Sequence, residues 1–358
     1  MPSLSIWERV SFLPKILPLP LVLTYTSVVS FFSKSYAKRS LRRILFDAAG
    51  RYVTGTASVK QLQWVSPTSL QTYEAWTKKH GKLSVVESID ENARILWLGS
   101  RTAPNVLIYI HGDGFMLRIS DLMLTFWDLV QSRQKWGLSV AILDYSLYPA
   151  PFPTQLTELI HAINHIQSYG SRDPFRIQLA GDSCGANIIL QFMLHVLHPI
   201  PGVPPAPPFP VSSAVLISPW ISLDERTPSQ STNNADALDA ATLRRWGEMH
   251  LGTLRPLSKS FDPEPYLKIQ HAPLIWLQGV KDKAVKRILI TTGTTECLED
   301  DAMEVYNRLK SHYSDEEIQL DVREGGVHDD PIFDIGAGSM TLNDVGEKIA
   351  DWIDKSNV

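Results

Sequence analysis

Four short clusters carry residue types that together could open an acyl bond. The first is Gly181-Asp182-Ser183-Cys184-Gly185. It directly follows the apolar run RIQLA and directly precedes the helical pattern ANIILQFMLHVL, so Ser183 reads as a nucleophile lifted on a tight, strained strand-to-helix turn. The second, His111-Gly112-Asp113-Gly114-Phe115, follows the apolar run NVLIYI. Glycines in such a turn let backbone N–H groups approach a developing oxyanion, and the helix N-terminus behind Ser183 presents free N–H groups to the same charge. Asp113 stands where a third glycine would be expected. A carboxylate there opposes the oxyanion unless it points away, is paired or is protonated. The third cluster is Gly293-Thr294-Thr295-Glu296-Cys297-Leu298-Glu299-Asp300-Asp301, in which Glu296 lies nearest the end of the run RILITT and Asp300 is the alternative acid. The fourth is His328, in Glu324-Gly325-Gly326-Val327-His328-Asp329-Asp330. The chemistry needs this trio: His328 takes the Ser183 proton and later delivers it to the leaving group, while Glu296 fixes the tautomer.

These clusters must be held by a common scaffold, and from residue 94 onward short apolar runs alternate with longer helical patterns. Strands are expected at 94–99, 105–110, 138–144, 176–180, 213–218, 287–292 and 318–322, with helices at 121–136, 154–168, 184–198, 299–312 and 341–355. Thr341 is the expected N-cap of the last helix. Continuous apolar runs of this length suit strands buried on both faces of a mainly parallel, helix-covered sheet. The order Ser183, Glu296, His328 is the order of the α/β-hydrolase fold, which is the expected fold class. The run PIPGVPPAPPFP at 199–210 reads as a stiff surface connector. The polar segment at about 222–270, with a helix near 236–250, reads as a cap insertion in a catalytic domain spanning 61–358.

The N-terminal residues 1–60 are expected to be cap or membrane-associated material. From Ile16 to Ser33 no charge occurs, and Lys34, Lys38, Arg39, Arg42 and Arg43 follow. Pro14, Pro18 and Pro20 interrupt a stretch at the lower limit of spanning length, and no basic start or cleavage site marks a signal peptide. A lid over the site, a membrane anchor and a targeting signal all remain open. If residues 16–33 anchor, the basic cluster keeps the main domain cytosolic, on the cytosolic face of the endoplasmic reticulum membrane.

The 358 residues carry 34 Lys and Arg against 38 Asp and Glu, a net charge of −4. No basic field attracts a phosphate backbone, so nucleic acid is not an expected partner. Two cysteines exclude a disulfide scaffold. No dinucleotide fingerprint or phosphate loop appears, and no cofactor or metal is expected. His161 and His165 are four apart on a helix but lack a third ligand, and so read as a surface pair. Trp127, Trp136, Trp220, Trp246 and Trp276 read as packing residues.

Taken with Asp144-Tyr145-Ser146-Leu147-Tyr148-Pro149, Pro151-Phe152-Pro153 and Ser218-Pro219-Trp220, the clusters make residues 60–358 resemble the hormone-sensitive-lipase-like branch of the α/β-hydrolases, especially fungal steryl acetyl hydrolase relatives. The resemblance implies Ser183 as nucleophile, His328 as base and Glu296 as acid. It also implies an oxyanion hole from the backbone of Gly112, Asp113, Gly114 and Cys184, and a helical cap that includes the N-terminal residues. The expected activity is hydrolysis of a short acyl ester of a hydrophobic small molecule through an acyl-enzyme. Two alternatives keep the scaffold: a thioester hydrolase, lactonising or acyl-transferring enzyme of secondary metabolism, with an acyl carrier protein as partner, and a ligand-binding protein without turnover.

Overall fold

Strands buried on both faces need apolar residues at every position, and the centre of this molecule is built that way. The computed structural model describes residues 4–169, 176–258 and 261–356. Its strands are β1 (Val86–Ser88), β2 (Arg94–Leu98), β3 (Asn105–Ile110), β4 (Leu138–Asp144), β5 (Ile177–Asp182), β6 (Ser213–Ile217), β7 (Ile288–Gly293) and β8 (Ile318–Arg323). They form one sheet in the order β1-β2-β4-β3-β5-β6-β7-β8. β1 pairs with β2 and β2 with β4 antiparallel, and every pairing from β4 through β3 to β8 is parallel. This is the α/β-hydrolase fold. β3 to β7 are buried throughout, whereas the edge strand β8 exposes Gln319 and Val322.

Alternate residues of each strand feed two cores. Val106, Ile108 and Ile110 meet helices Thr154–Gln167, Cys184–Leu197 and Glu299–Leu309 on one face. Leu107 and Tyr109 meet helices Ser69–Lys79, Asp121–Ser132 and Asp344–Lys355 on the other. The helix expected to run to 136 stops at Ser132, ahead of a turn in which Gly137 takes φ 69°. The last helix is capped by Asn343, whose side chain accepts from the Gly346 N–H at 2.9 Å, and not by Thr341. Trp127, Trp220 and Trp246 are buried as expected, but Trp136 is 56% exposed at the turn before β4.

Helices Leu41–Thr56 and Ala240–Leu251 close over the carboxyl edge of the sheet, the edge where parallel α/β sheets leave room for ligands. Arg245 Nη2 joins them by donating to the Thr54 carbonyl at 2.7 Å. A buried charge cluster locks the first of these helices to the site. Arg43 contacts Asp47, Asp330 and Asp334 at 2.7–2.9 Å, and Asp330 and Asp334 lie on the helix that follows His328. The uncharged N-terminal stretch packs beside the same helix, and the residues before position 60 that line the cavity over Ser183 are Gly50 and Thr54.

Candidate active site

Ser183 sits between β5 and the helix Cys184–Leu197 with φ 51° and ψ −119°. A non-glycine residue in such a conformation costs about 1–3 kcal/mol and persists only where its surroundings over-determine it. Here they do: the Ser183 N–H donates to the Ile217 carbonyl at 2.9 Å, and the Trp220 N–H donates to the Ser183 carbonyl at 3.1 Å. Gly185 has no alternative, because a Cβ there would lie 2.0 Å from the Ile110 carbonyl oxygen.

The loop after β3, expected to form the oxyanion hole, turns through three residues with positive φ, Asp113, Gly114 and Phe115. A Cβ on Gly114 would lie 2.3 Å from Trp246, whereas position 113 accommodates a side chain. Gly112 does not serve as expected, since its N–H is already committed to Asp182 Oδ1 at 3.0 Å. Among the described residues the N–H groups of Asp113, Gly114 and Cys184 have no protein acceptor and so are free to bind an oxyanion. The Cys184 thiol accepts from the Phe115 N–H at 3.1 Å and so braces this loop, and burial raises its pKa far out of the reactive range.

Glu296 and His328 come together from the ends of β7 and β8. Glu296 is fully buried. Its Oε2 accepts from Thr292 Oγ1 and the Gly293 N–H, each at 2.9 Å, and its Oε1 lies 3.0 Å from His328 Nδ1. The alternative acid, Asp300, is turned away to the Ser229 N–H at 2.7 Å. His328 Nε2 lies 3.1 Å from Asp329 Oδ2. Burial alone would depress the His328 pKa, but the charges of Asp329 and Glu296, with their hydrogen bonds, raise it well above the usual histidine range. Ser183, His328, Asp113 and Asp329 all line one narrow cavity of about 70 Å³, whose wall also includes Trp220 and Trp246. A serine, an oriented imidazole and free N–H donors around one cavity can carry out acyl transfer.

Two buried carboxylates that support the site escaped the sequence reading. Asp236, within the segment read as cap, accepts from the N–H groups of Ala237, Cys297 and His328 at 2.7, 2.7 and 2.8 Å and so ties the acid loop to the histidine loop. Burial and the Glu296 charge push it up to about 6. Asp301 accepts from the Ile221 and Ser222 N–H groups at 2.8 and 2.9 Å, which holds the chain beyond Trp220. Nothing in their sequence surroundings distinguishes either from a solvated loop or helix-start acid.

A family model described as steryl acetyl hydrolase matches residues 74–343. The chain belongs to the steryl acetyl hydrolase family. Membership places it among ester hydrolases. Two solved structures are similar in fold. One is an esterase from the bacterial hormone-sensitive lipase family, at TM-score 0.61 and 20% identity, covering 89% of this chain and 99% of that one. The other is a hormone-sensitive lipase from a metagenome library, at TM-score 0.61 and 18% identity, covering 87% and 97%. Comparison with curated proteins gives no match.

The remaining histidine pair and one surface cluster of this steryl acetyl hydrolase relative are engaged by other charged groups. His161 and His165 turn to different carboxylates, Asp90 at 2.8 Å and Glu87 at 3.3 Å. Glu225, Glu264 and His271 gather at the surface around Lys268, whose ammonium already lies 2.9 Å from Glu225 and 3.7 Å from Glu264. A wider depression of about 500 Å³, lined by Thr77, Lys82, Trp97, Gly99 and Arg101, does not include Ser183.

Proposed function

We propose that this protein is a serine carboxylic-ester hydrolase that removes a short acyl group, such as acetyl, from a hydrophobic small molecule through an acyl-enzyme. The observation that carries the reading is the pairing of His328 Nδ1 with the buried Glu296 carboxylate at 3.0 Å, beside a cavity that His328 shares with Ser183 on its strained elbow. In this mechanism His328 Nε2 accepts the Ser183 proton as Oγ attacks the acyl carbon. The N–H groups of Asp113, Gly114 and Cys184 receive the oxyanion, and Glu296 steadies the imidazolium. The imidazolium then protonates the departing alkoxide, and water repeats the sequence to release the acid. A cavity of about 70 Å³ favours a short acyl chain over a long one.

Ser183→Ala tests the reading. It should abolish labelling by a fluorophosphonate probe and lower hydrolysis of p-nitrophenyl acetate by about 10⁴-fold or more. Undiminished hydrolysis in that variant would overturn it. We also propose that the apolar N-terminal stretch rests on a membrane surface, supported by the outward-facing side chains of Ile6–Ser30.

A further inference from the structure

The cavity over Ser183 holds more negative charge than ester cleavage requires. Besides Glu296 behind the histidine, two further carboxylates stand on its wall: Asp113 from the oxyanion loop and Asp329 from the histidine loop. Asp329 is 2% exposed. Its Oδ2 lies beside His328 Nε2, and its Oδ1 is buried with no hydrogen-bond partner among the described residues. The Asp113 side chain likewise has no hydrogen-bond partner among the described residues. Among the described residues no Lys or Arg lines the cavity, so His328 alone offsets these carboxylates, and the rest of the nearby wall includes the aromatic rings of Trp220, Trp246 and Phe333. Burial and the neighbouring charge of Asp329 push Asp113 up to about 7, against the lowering effect of His328.

A buried carboxylate oxygen without a donor is costly, and carboxylates set among aromatic faces are the chemistry that recognises a cationic nitrogen. We infer that the substrate carries a protonated amine on the alcohol side of its scissile ester, whose N–H donates to Asp329 and whose charge is shared with Asp113. The inference rests on the ester-hydrolase reading above and narrows its substrate class from hydrophobic esters to hydrophobic esters that bear an ammonium group. It also gives the contact at His328 a purpose. While Asp329 holds Nε2, the charge pair favours the protonated imidazole and occupies the nitrogen that the Ser183 proton would need. An ammonium that engages Asp329 releases Nε2 to act as base, so the correct substrate completes the catalytic arrangement.

The test compares two nearly isosteric acetates on the full-length protein at neutral pH. One is 2-(dimethylamino)ethyl acetate, which is protonated there, and the other is 3-methylbutyl acetate, with each kcat/KM divided by the ester's rate of hydroxide hydrolysis. The expected result is a preference for the cationic ester of about tenfold or more, the scale of one charge-assisted hydrogen bond. Asp329→Asn and Asp113→Asn should each shrink that ratio toward one, a readout that a general loss of folding would not produce. Equal or greater efficiency on the neutral ester would overturn the inference and leave the hydrolase reading standing. No turnover of either ester, nor of p-nitrophenyl acetate, would overturn both.

Discussion

In the proposed mechanism the residue that sets the working pH is His328, because a general base must be neutral. Its pKa is held well above the usual histidine range by the charges of Asp329 and Glu296 acting against burial. The sign follows directly: below that pKa the imidazolium cannot take the Ser183 proton, so kcat/KM should fall as pH drops through it. Asp329→Asn removes one of the two charges, and the acid limb of the pH profile should move to lower pH, read from kcat/KM on p-nitrophenyl acetate. An unmoved limb would show that Asp329 does not govern the imidazole. Glu296→Gln should instead lower kcat by about 10³- to 10⁴-fold at every pH, because a neutral amide neither fixes the tautomer nor stabilises the imidazolium. Asp236 acts one step further back. With three N–H groups converging on its carboxylate, Asp236→Asn sets an amide donor against one of them and should cost about 1–3 kcal/mol in urea unfolding, with reduced kcat/KM as the two loops loosen.

At the scale of elements, the site depends on loops that leave five parallel strands at one edge and on two helices that roof them. Arg43 is the main tie between roof and site, since it bonds within helix Leu41–Thr56 to Asp47 and across to Asp330 and Asp334. Arg43→Ala leaves Asp47 to Arg39 and leaves Asp330 and Asp334 to Arg323 and Asn343, but it removes the one cation that joins all three carboxylates, and should lower stability by about 1–3 kcal/mol in chemical denaturation. A loss below about 1 kcal/mol would mean that water replaces the guanidinium readily. Much of this architecture is legible in the chain, for reasons that differ by element. β3 and β4 match their expected bounds because, between the polar Asn105 that opens one and the Asp144 that closes the other, the residues are apolar, aromatic or small, and both faces are buried. β1 escapes notice because it is three residues long and its outward residues are exposed. The clusters around Ser183, Glu296 and His328 could be read because each follows a strand that had already been recognised. Asp236 could not, because its role comes from a long-range fold-back of the segment 222–270 onto the ends of β7 and β8. The commitment of the Gly112 N–H to Asp182 was equally hidden, since it depends on how closely β3 and β5 lie at their ends.

At the scale of the whole molecule, the apolar surface is concentrated at one place. The helical stretch Ile6–Ser30 is long and apolar enough to cross a membrane, yet it is fastened to the body. Lys15 Nζ donates to Gln61 Oε1 at 3.0 Å, Tyr52 donates to the Lys15 carbonyl at 2.8 Å, and Gln61 Nε2 donates to the Glu8 carbonyl at 2.7 Å. Spanning a bilayer would break all three, whereas lying in the interface keeps them and buries the outward side chains. Those side chains, among them Val10, Leu13, Leu17, Leu21, Tyr25, Val28 and Phe32, recur every three to four residues and are each more than half exposed, so they form one continuous stripe. Exposed Lys34 and Arg42 flank its C-terminal end with the sign that anionic lipid headgroups attract. The protein should therefore co-sediment with vesicles containing phosphatidylserine, more weakly as salt is raised, and Leu17→Asp with Leu21→Asp should weaken that binding by about tenfold or more while sparing hydrolysis of p-nitrophenyl acetate in solution. Release by alkaline carbonate would agree with an interfacial helix; retention would show that the stretch leaves the body and spans. Because the neighbouring helix Leu41–Thr56 contributes Gly50 and Thr54 to the cavity over Ser183, a surface-bound enzyme would hold that cavity next to the lipid phase, where an amphiphilic ester is most concentrated.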